Sequence, residues 1–272
     1  IMDYVKPVDV VQNMAEAGKV KNELSILNIL LRAMLSGAFL GYATTLAFTG
    51  AVQTKLDIVG ALIFPVGFII IFLMNLELVT GSFATIPIAV LRKKTTVPLM
   101  LRNFFWAFTG NLLGALFYAF LFTIYLTHLG HIDVSTSALA QKVIQVAESK
   151  TIVYKELGFD GQIVMFVKAI LCNWMVTVGA VMSFTSTATI GKIAAMWIPV
   201  FIFFAQGFEH SIVNMFAIPC GMMLGADISF SDWWLWNQIT VTIGNFISGF
   251  LFTALVLHYI TKPKEQLPEL NK

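Results

Sequence analysis

Six blocks of this sequence stay apolar for longer than a bilayer is thick, and nothing else in it constrains the fold as strongly. A spanning helix needs roughly 20 mostly apolar residues. Residues 28–50, 58–90, 102–127, 162–185, 193–224 and 238–260 meet that requirement. Hydrocarbon offers no partner to a free backbone N–H or C=O, so such segments are helices that bond internally. The composition agrees: 58% of the 272 residues are apolar and 12% are charged, where a soluble domain carries about 25% charged. The predicted fold class is an all-α membrane protein with six transmembrane helices over residues 28–260. An N-terminal segment (1–27) and a tail (261–272) flank it.

The flanks carry the polar residues. Apolar Val8, Val11, Met14 and Ala15 among charges predict a short amphipathic helix over 6–27, lying at the membrane surface. Residues 128–160 form the longest polar stretch, and Lys262 to Lys272 read as a disordered tail. No secretory signal peptide is expected, because the N-terminus is polar before any apolar run. Ile1 ahead of Met2 leaves an upstream targeting segment open. If the N-terminus is cytoplasmic, twelve basic residues fall on that side and four (Lys55, Lys142, Lys150, Lys155) on the other. That asymmetry predicts both termini inside, in a bacterial plasma membrane or an organellar one. The basic residues flank the blocks without forming a patch, so no nucleic-acid partner is expected. Cys172 and Cys220 each lie inside an apolar block and read as small buried hydrophobes.

The second and fifth blocks are too long for one simple helix, and each is interrupted by a polar cluster. One runs Asn75-Leu-Glu77-Leu-Val-Thr80-Gly81-Ser82; the other runs Gln206-Gly207-Phe-Glu209-His210-Ser211, followed by Asn214. A short apolar half-span with a proline (Pro87, Pro219) follows each cluster. The third block carries Gly110-Asn111-Leu-Leu-Gly114 and the sixth Gly244-Asn245-Phe-Ile-Ser-Gly249. Glu77 precedes Asn111 by 34 residues and Glu209 precedes Asn245 by 36. Two halves of three spans with matching landmarks predict inverted repeats with broken second and fifth helices. Non-helical backbone at membrane depth must be buried in protein or line a cavity. The exposed N–H groups of a half-helix favour anions there.

An ionisable side chain at membrane depth is costly and usually functional, which singles out His210. An imidazole beside a pore offers a passing anion a hydrogen bond or a proton; a structural histidine satisfied by its neighbours is the alternative. Glu77 and Glu209 occupy equivalent positions and are expected to stabilise the loops, accepting from orphaned N–H groups at the opposite break. The Gly-Asn pairs are expected to serve close packing with a satisfied amide. Lys168 either raises the local anion concentration at a mouth or snorkels to the interface. Phe64, Phe68 and Phe203 fall near the breaks, where apolar rings could strip water from a solute. Trp233, Trp234 and Trp236 read as an interfacial belt.

Four stretches, Gly207-Phe-Glu-His-Ser-Ile-Val-Asn-Met-Phe216, Leu171-Cys-Asn-Trp174, Gly110-Asn-Leu-Leu-Gly114 and Thr242-Ile-Gly-Asn245, resemble the signatures of the formate/nitrite transporter family. The resemblance runs over nearly the whole chain. It implies an aquaporin-like protomer in a homopentamer, with one pore per protomer for formate, nitrite, lactate, hydrosulfide or bicarbonate. By position it makes His210 the central histidine, Thr80 the hydroxyl facing it and Asn173 the nearby amide. It places Phe64 and Phe203 at an outer constriction, and Phe68, Leu78 and Val79 at a cytoplasmic slit. Lys168 becomes the basic residue of the outer vestibule, and Glu77, Glu209 and Asn214 stabilise the loops. One departure stands out: Val79 occupies a position where the family often has phenylalanine.

The expected function is passage of small monovalent anions or their conjugate acids, with proton exchange at His210; a neutral-solute channel of aquaporin type is the alternative. The expected partners are those anions, protons and the lipid bilayer. No enzyme, cofactor or metal is expected, since Glu209-His210 lacks the His-Glu-x-x-His spacing and His128, His131, His210 and His258 are scattered.

Overall fold

A computed structural model describes residues 3–262. The helices in order are α1 (Pro7–Glu23), α2 (Ile26–Thr54), α3 (Asp57–Ile63), α4 (Pro65–Leu73), α5 (Val79–Leu91) and α6 (Val97–Thr127). Then come α7 (Ala138–Ser149), α8 (Ile152–Glu156), α9 (Gly158–Met182), α10 (Thr189–Ala205) and α11 (Ser211–Met223). The last is α12 (Asp232–Ile260), whose turns widen over Asp232–Gln238 and Ser248–Leu255. The described residues form no strand, only an isolated bridge between Tyr4 and Ser186.

Four helices among the described residues are long and apolar enough to cross a membrane: α2, α6, α9 and α12. Each buries only 39–44% of its most apolar window inside the protein, leaving residues such as Leu31, Phe105, Phe117 and Val167 exposed. A surface that apolar is stable against lipid, not against water. The short helices α5 and α11 behave oppositely. Every residue from Val79 to Ala89 and from Ser211 to Gly221 is buried, as an all-round apolar helix requires. The long helices thus face outwards and the short ones fill the centre.

Local chemistry sets the helix ends. Ser25 caps α2 by accepting from the Asn28 N–H at 3.3 Å, and α2 stops at Lys55, which has left-handed φ of 59°. Pro65 lies at the start of α4 and separates it from α3. The α2–α6 contact is close because a Cβ on Gly114 would sit on the Met34 carbonyl.

Two expectations change. On α1, Val11, Met14 and Ala15 pack with Val10 against Ala84, Ile88 and Ala254, so protein covers most of the expected surface stripe, while Val8 stays exposed. Trp233 is no belt residue: it lies inside α12, packs with Ile218 and Ile228, and donates to Gln238 Oε1 at 3.1 Å. The 128–160 stretch is largely helical, and α7 buries Ala140, Val143 and Ala147. The tail expected at 262–272 lies, after Lys262, outside the described residues.

Candidate functional site

Both α5 and α11 begin abruptly in the protein interior, after the non-helical residues 74–78 and 206–210 respectively. Their first N–H groups have no intrahelical partner, and an asparagine from another helix answers each. Asn111 of α6 accepts from the Val79 N–H at 3.0 Å and donates to the carbonyls of Ala33 and Glu77, both at 2.9 Å. Asn245 of α12 accepts from the Ser211 N–H at 2.8 Å and donates to Ala169 (2.8 Å) and Glu209 (3.0 Å). The two sets are the same pattern displaced by 132 residues at the breaks (79 to 211, 77 to 209).

His210 sits at the N-cap of α11, where its Nδ1 accepts from the Val213 N–H at 3.1 Å. That bond leaves the proton of the neutral ring on Nε2, which lies 3.0 Å from Thr80 Oγ1 on α5. His210 and Thr80 are 2% and 0% exposed, so this contact joins the two half-helix starts. Asn173 of α9 donates to the Thr80 carbonyl at 3.1 Å and to the Asn245 carbonyl at 2.7 Å. The structure therefore brings His210, Thr80 and Asn173 together. The position 132 residues before His210 is Leu78, so only one of the two breaks carries a titratable cap.

Glu77 and Glu209 do not cap the breaks as expected. Backbone N–H groups there are taken by the neutral asparagines, and each carboxylate instead meets a lysine. Glu77 pairs with Lys21 of α1 at 2.7 Å, and Glu209 pairs with Lys150, the residue that ends α7, at 3.0 Å. A buried carboxylate is stable only when a charge and further donors compensate its lost hydration. Glu209 adds donors from Tyr154 (3.0 Å) and Asn214 (2.8 Å), and Asn214 also donates to Asn237 at 2.9 Å. Lys21, Lys150 and Tyr154 were missed in the sequence because they lie 56, 59 and 55 residues from their partners. Lysine counts on the polar segments were the only signal.

A cavity of about 450 Å³ reaches His210, lined also by Asp57, Lys142, Lys150, Tyr154, Lys168, Phe203, Phe204 and Glu209. Lys168 therefore faces a cavity and does not snorkel away from it; its ammonium donates to Tyr154 Oη at 3.1 Å. A second cavity, of about 310 Å³, opens toward the other end of α10, among Lys21, Phe72, Asn75, Leu76 and Lys192. Between them lies a buried apolar and aromatic block. Phe64 and Phe203 meet edge to face with centroids 5.7 Å apart, and Phe203 stacks on His210 at 5.6 Å. Phe204, unremarked in the sequence, stacks on Phe64 at 3.8 Å. Phe68 stacks on Phe72 at 4.3 Å. Phe68, Leu78 and Val79 are buried and line neither cavity.

A family model described as formate/nitrite transporter matches residues 8–259. The chain belongs to the formate/nitrite transporter family. Among its relatives is an uncharacterized transporter, YrhG, of Bacillus subtilis, 33% identical, with 94% of this chain and 93% of that protein covered. Two solved structures share the fold. One, titled an FNT family ion channel, has TM-score 0.79 at 24% identity over 94% of this chain and 99% of that one. The other, a pentameric formate channel with formate bound, has TM-score 0.69 at 23% identity over 86% and 97%. Within this formate/nitrite transporter, the capped breaks, the His210–Thr80 contact and the two cavities all lie inside the matched region.

Proposed function

We propose that residues 28–260 form an anion-conducting unit of six spans in two inverted repeats, in which α3–α4 with α5 and α10 with α11 are single spans broken midway. The path runs from the His210 cavity, past the Phe64–Phe203 pair, to the Phe68, Leu78 and Val79 slit and the Leu76 cavity. What carries this reading is the His210–Thr80 contact at 3.0 Å between two buried half-helix starts. Helix N-termini favour anions, and among the described residues the imidazole is the titratable N-cap of these two starts. An anion gathered by the lysine-lined cavity loses water at the phenylalanines and meets His210 there. A bare anion in an apolar constriction carries a large desolvation cost, which its conjugate acid avoids. The imidazole donates a hydrogen bond or a proton at that point.

The family supports formate or nitrite as substrate, with lactate, bicarbonate and hydrosulfide as related candidates. The pentameric formate channel among the structural neighbours supports a homopentamer with one path per protomer. Both termini lie on the cytoplasmic side of a bacterial plasma membrane in this reading. Lys55 and Lys93 are exposed residues at opposite ends of the spans, so Lys55→Cys is expected to label from outside and Lys93→Cys from inside. Labelling of both from one side would reject the six-span topology.

Uptake of formate, nitrite and lactate into proteoliposomes, with and without an inward proton gradient, tests the function. Val79→Phe gives the size-dependent arm. A larger ring at the slit should reduce lactate uptake by about tenfold and formate uptake by about threefold at most, since apolar constrictions discriminate by size. Equal losses for both anions would remove Val79 from the path.

A further inference from the structure

Three lysines line the cavity that reaches His210: Lys142, Lys150 and Lys168. Two of them are neutralised there. Lys142 pairs with Asp57 at 2.7 Å and Lys150 with Glu209 at 3.0 Å. Lys168 has no carboxylate within ion-pair distance among the described residues; its partner is the neutral phenol of Tyr154, at 3.1 Å. The ammonium also lies 5.6 Å from that ring's centre, within reach of a cation–π attraction. Two opposed pairs cancel at a distance, so Lys168 supplies the uncompensated charge that an anion meets on entering.

We propose that Tyr154 is a positioning residue for anion entry, holding the Lys168 ammonium over the cavity while keeping the Glu209 carboxylate from pairing with it. This rests on the anion-pathway reading above. The phenol can do both because it accepts from Lys168 and donates to Glu209 Oε1 at 3.0 Å. A carboxylate so engaged by Lys150, Asn214 and Tyr154 has no need of a second ammonium. Burial first, then the neighbouring Glu209 charge, push the Tyr154 phenol well above its ordinary range. It therefore keeps its proton and its donor role at any physiological pH. The ring itself is fixed: Tyr154 is buried with Met165, Ala169 and Val241, and α8 approaches α9 so closely that a Cβ on Gly161 would strike the Tyr154 carbonyl.

The test is formate uptake into proteoliposomes by wild type, Lys168→Gln, Lys168→Arg, Tyr154→Phe and the Tyr154→Phe/Lys168→Gln double variant, at two ionic strengths. Lys168→Gln should raise the half-saturating formate concentration about fivefold and Tyr154→Phe about threefold, because one charge acts on encounter. Maximal rates should stay within about twofold, and the salt dependence of half-saturation should vanish in Lys168→Gln but persist in Lys168→Arg. The double variant should match Lys168→Gln alone, because the phenol acts through the lysine. Multiplying effects, or a fall in maximal rate with unchanged half-saturation, would overturn the positioning role. Saturable wild-type uptake with indifferent variants would overturn this inference and leave the pathway standing. Absence of any wild-type formate uptake would remove both.

Discussion

His210→Asn is expected to assemble normally and yet lose the acid preference of transport. Asparagine is among the best N-cap residues, so its side-chain oxygen can still accept from the Val213 N–H that His210 Nδ1 holds at 3.1 Å. It is too short to keep the bond to Thr80 Oγ1, now 3.0 Å from Nε2, and it does not titrate. The cap survives while the titratable group at the break is removed. Wild-type uptake of formate should rise as the pH on the entry side falls, because the neutral acid crosses an apolar constriction without the charge penalty. In the variant that rise should flatten, uptake at acidic pH should drop about tenfold, the equivalent of about 1.4 kcal/mol, and a formate current should appear. Proteoliposome uptake and bilayer current measured across pH decide it. An assembled variant whose current, uptake and pH profile all match wild type would take the histidine out of the mechanism.

The second large effect concerns stability. Asn245→Ala should lower the melting temperature of the detergent-solubilised protein by about 5 °C or more, from a loss of about 2–6 kcal/mol. The substitution leaves the buried Ser211 N–H without its 2.8 Å acceptor and the Glu209 carbonyl without its 3.0 Å donor. An unpaired buried polar group costs about 1–3 kcal/mol, more than the bond itself contributes when made. Asn111→Ala, which uncaps Val79 and the Glu77 carbonyl, should behave alike. The exposed Asn28, whose side chain meets Ser25 Oγ at 3.0 Å, provides a control expected to shift melting by less than about 2 °C. Melting of either central variant within that margin would mean that water or relaxation replaces the caps.

Much of this protein was legible in one dimension because lipid is a demanding solvent. A helix that crosses it must be apolar along its length, so α2, α6, α9 and α12 appear as blocks in the sequence. The same rule makes any polar cluster inside such a block conspicuous, which is why Glu77, Thr80, Glu209 and His210 were visible before any coordinates. The motif Phe208-Glu209-His210-Ser211 and its matched landmarks were enough to suggest the family.

The tertiary structure decided who serves whom. Spacing alone points to the carboxylates as acceptors for orphaned N–H groups; in the fold, Asn111 and Asn245 take that place. An amide brings an acceptor and two donors without a charge, so it satisfies an N–H and two carbonyls at once in a site where a lone carboxylate would be too costly. Glu77 and Glu209 are then free to pair with Lys21 of α1 and with Lys150 at the end of α7, both in segments that flank the apolar blocks. The face of α1, written as an amphipathic stripe, fits a lipid surface and a protein groove equally well until α5 and α12 are in place. Lys168, Tyr154 and Glu209 belong to different segments, and nothing periodic links them. Composition and periodicity record what each helix is immersed in; hydrogen bonds between helices depend on which ends the fold brings together.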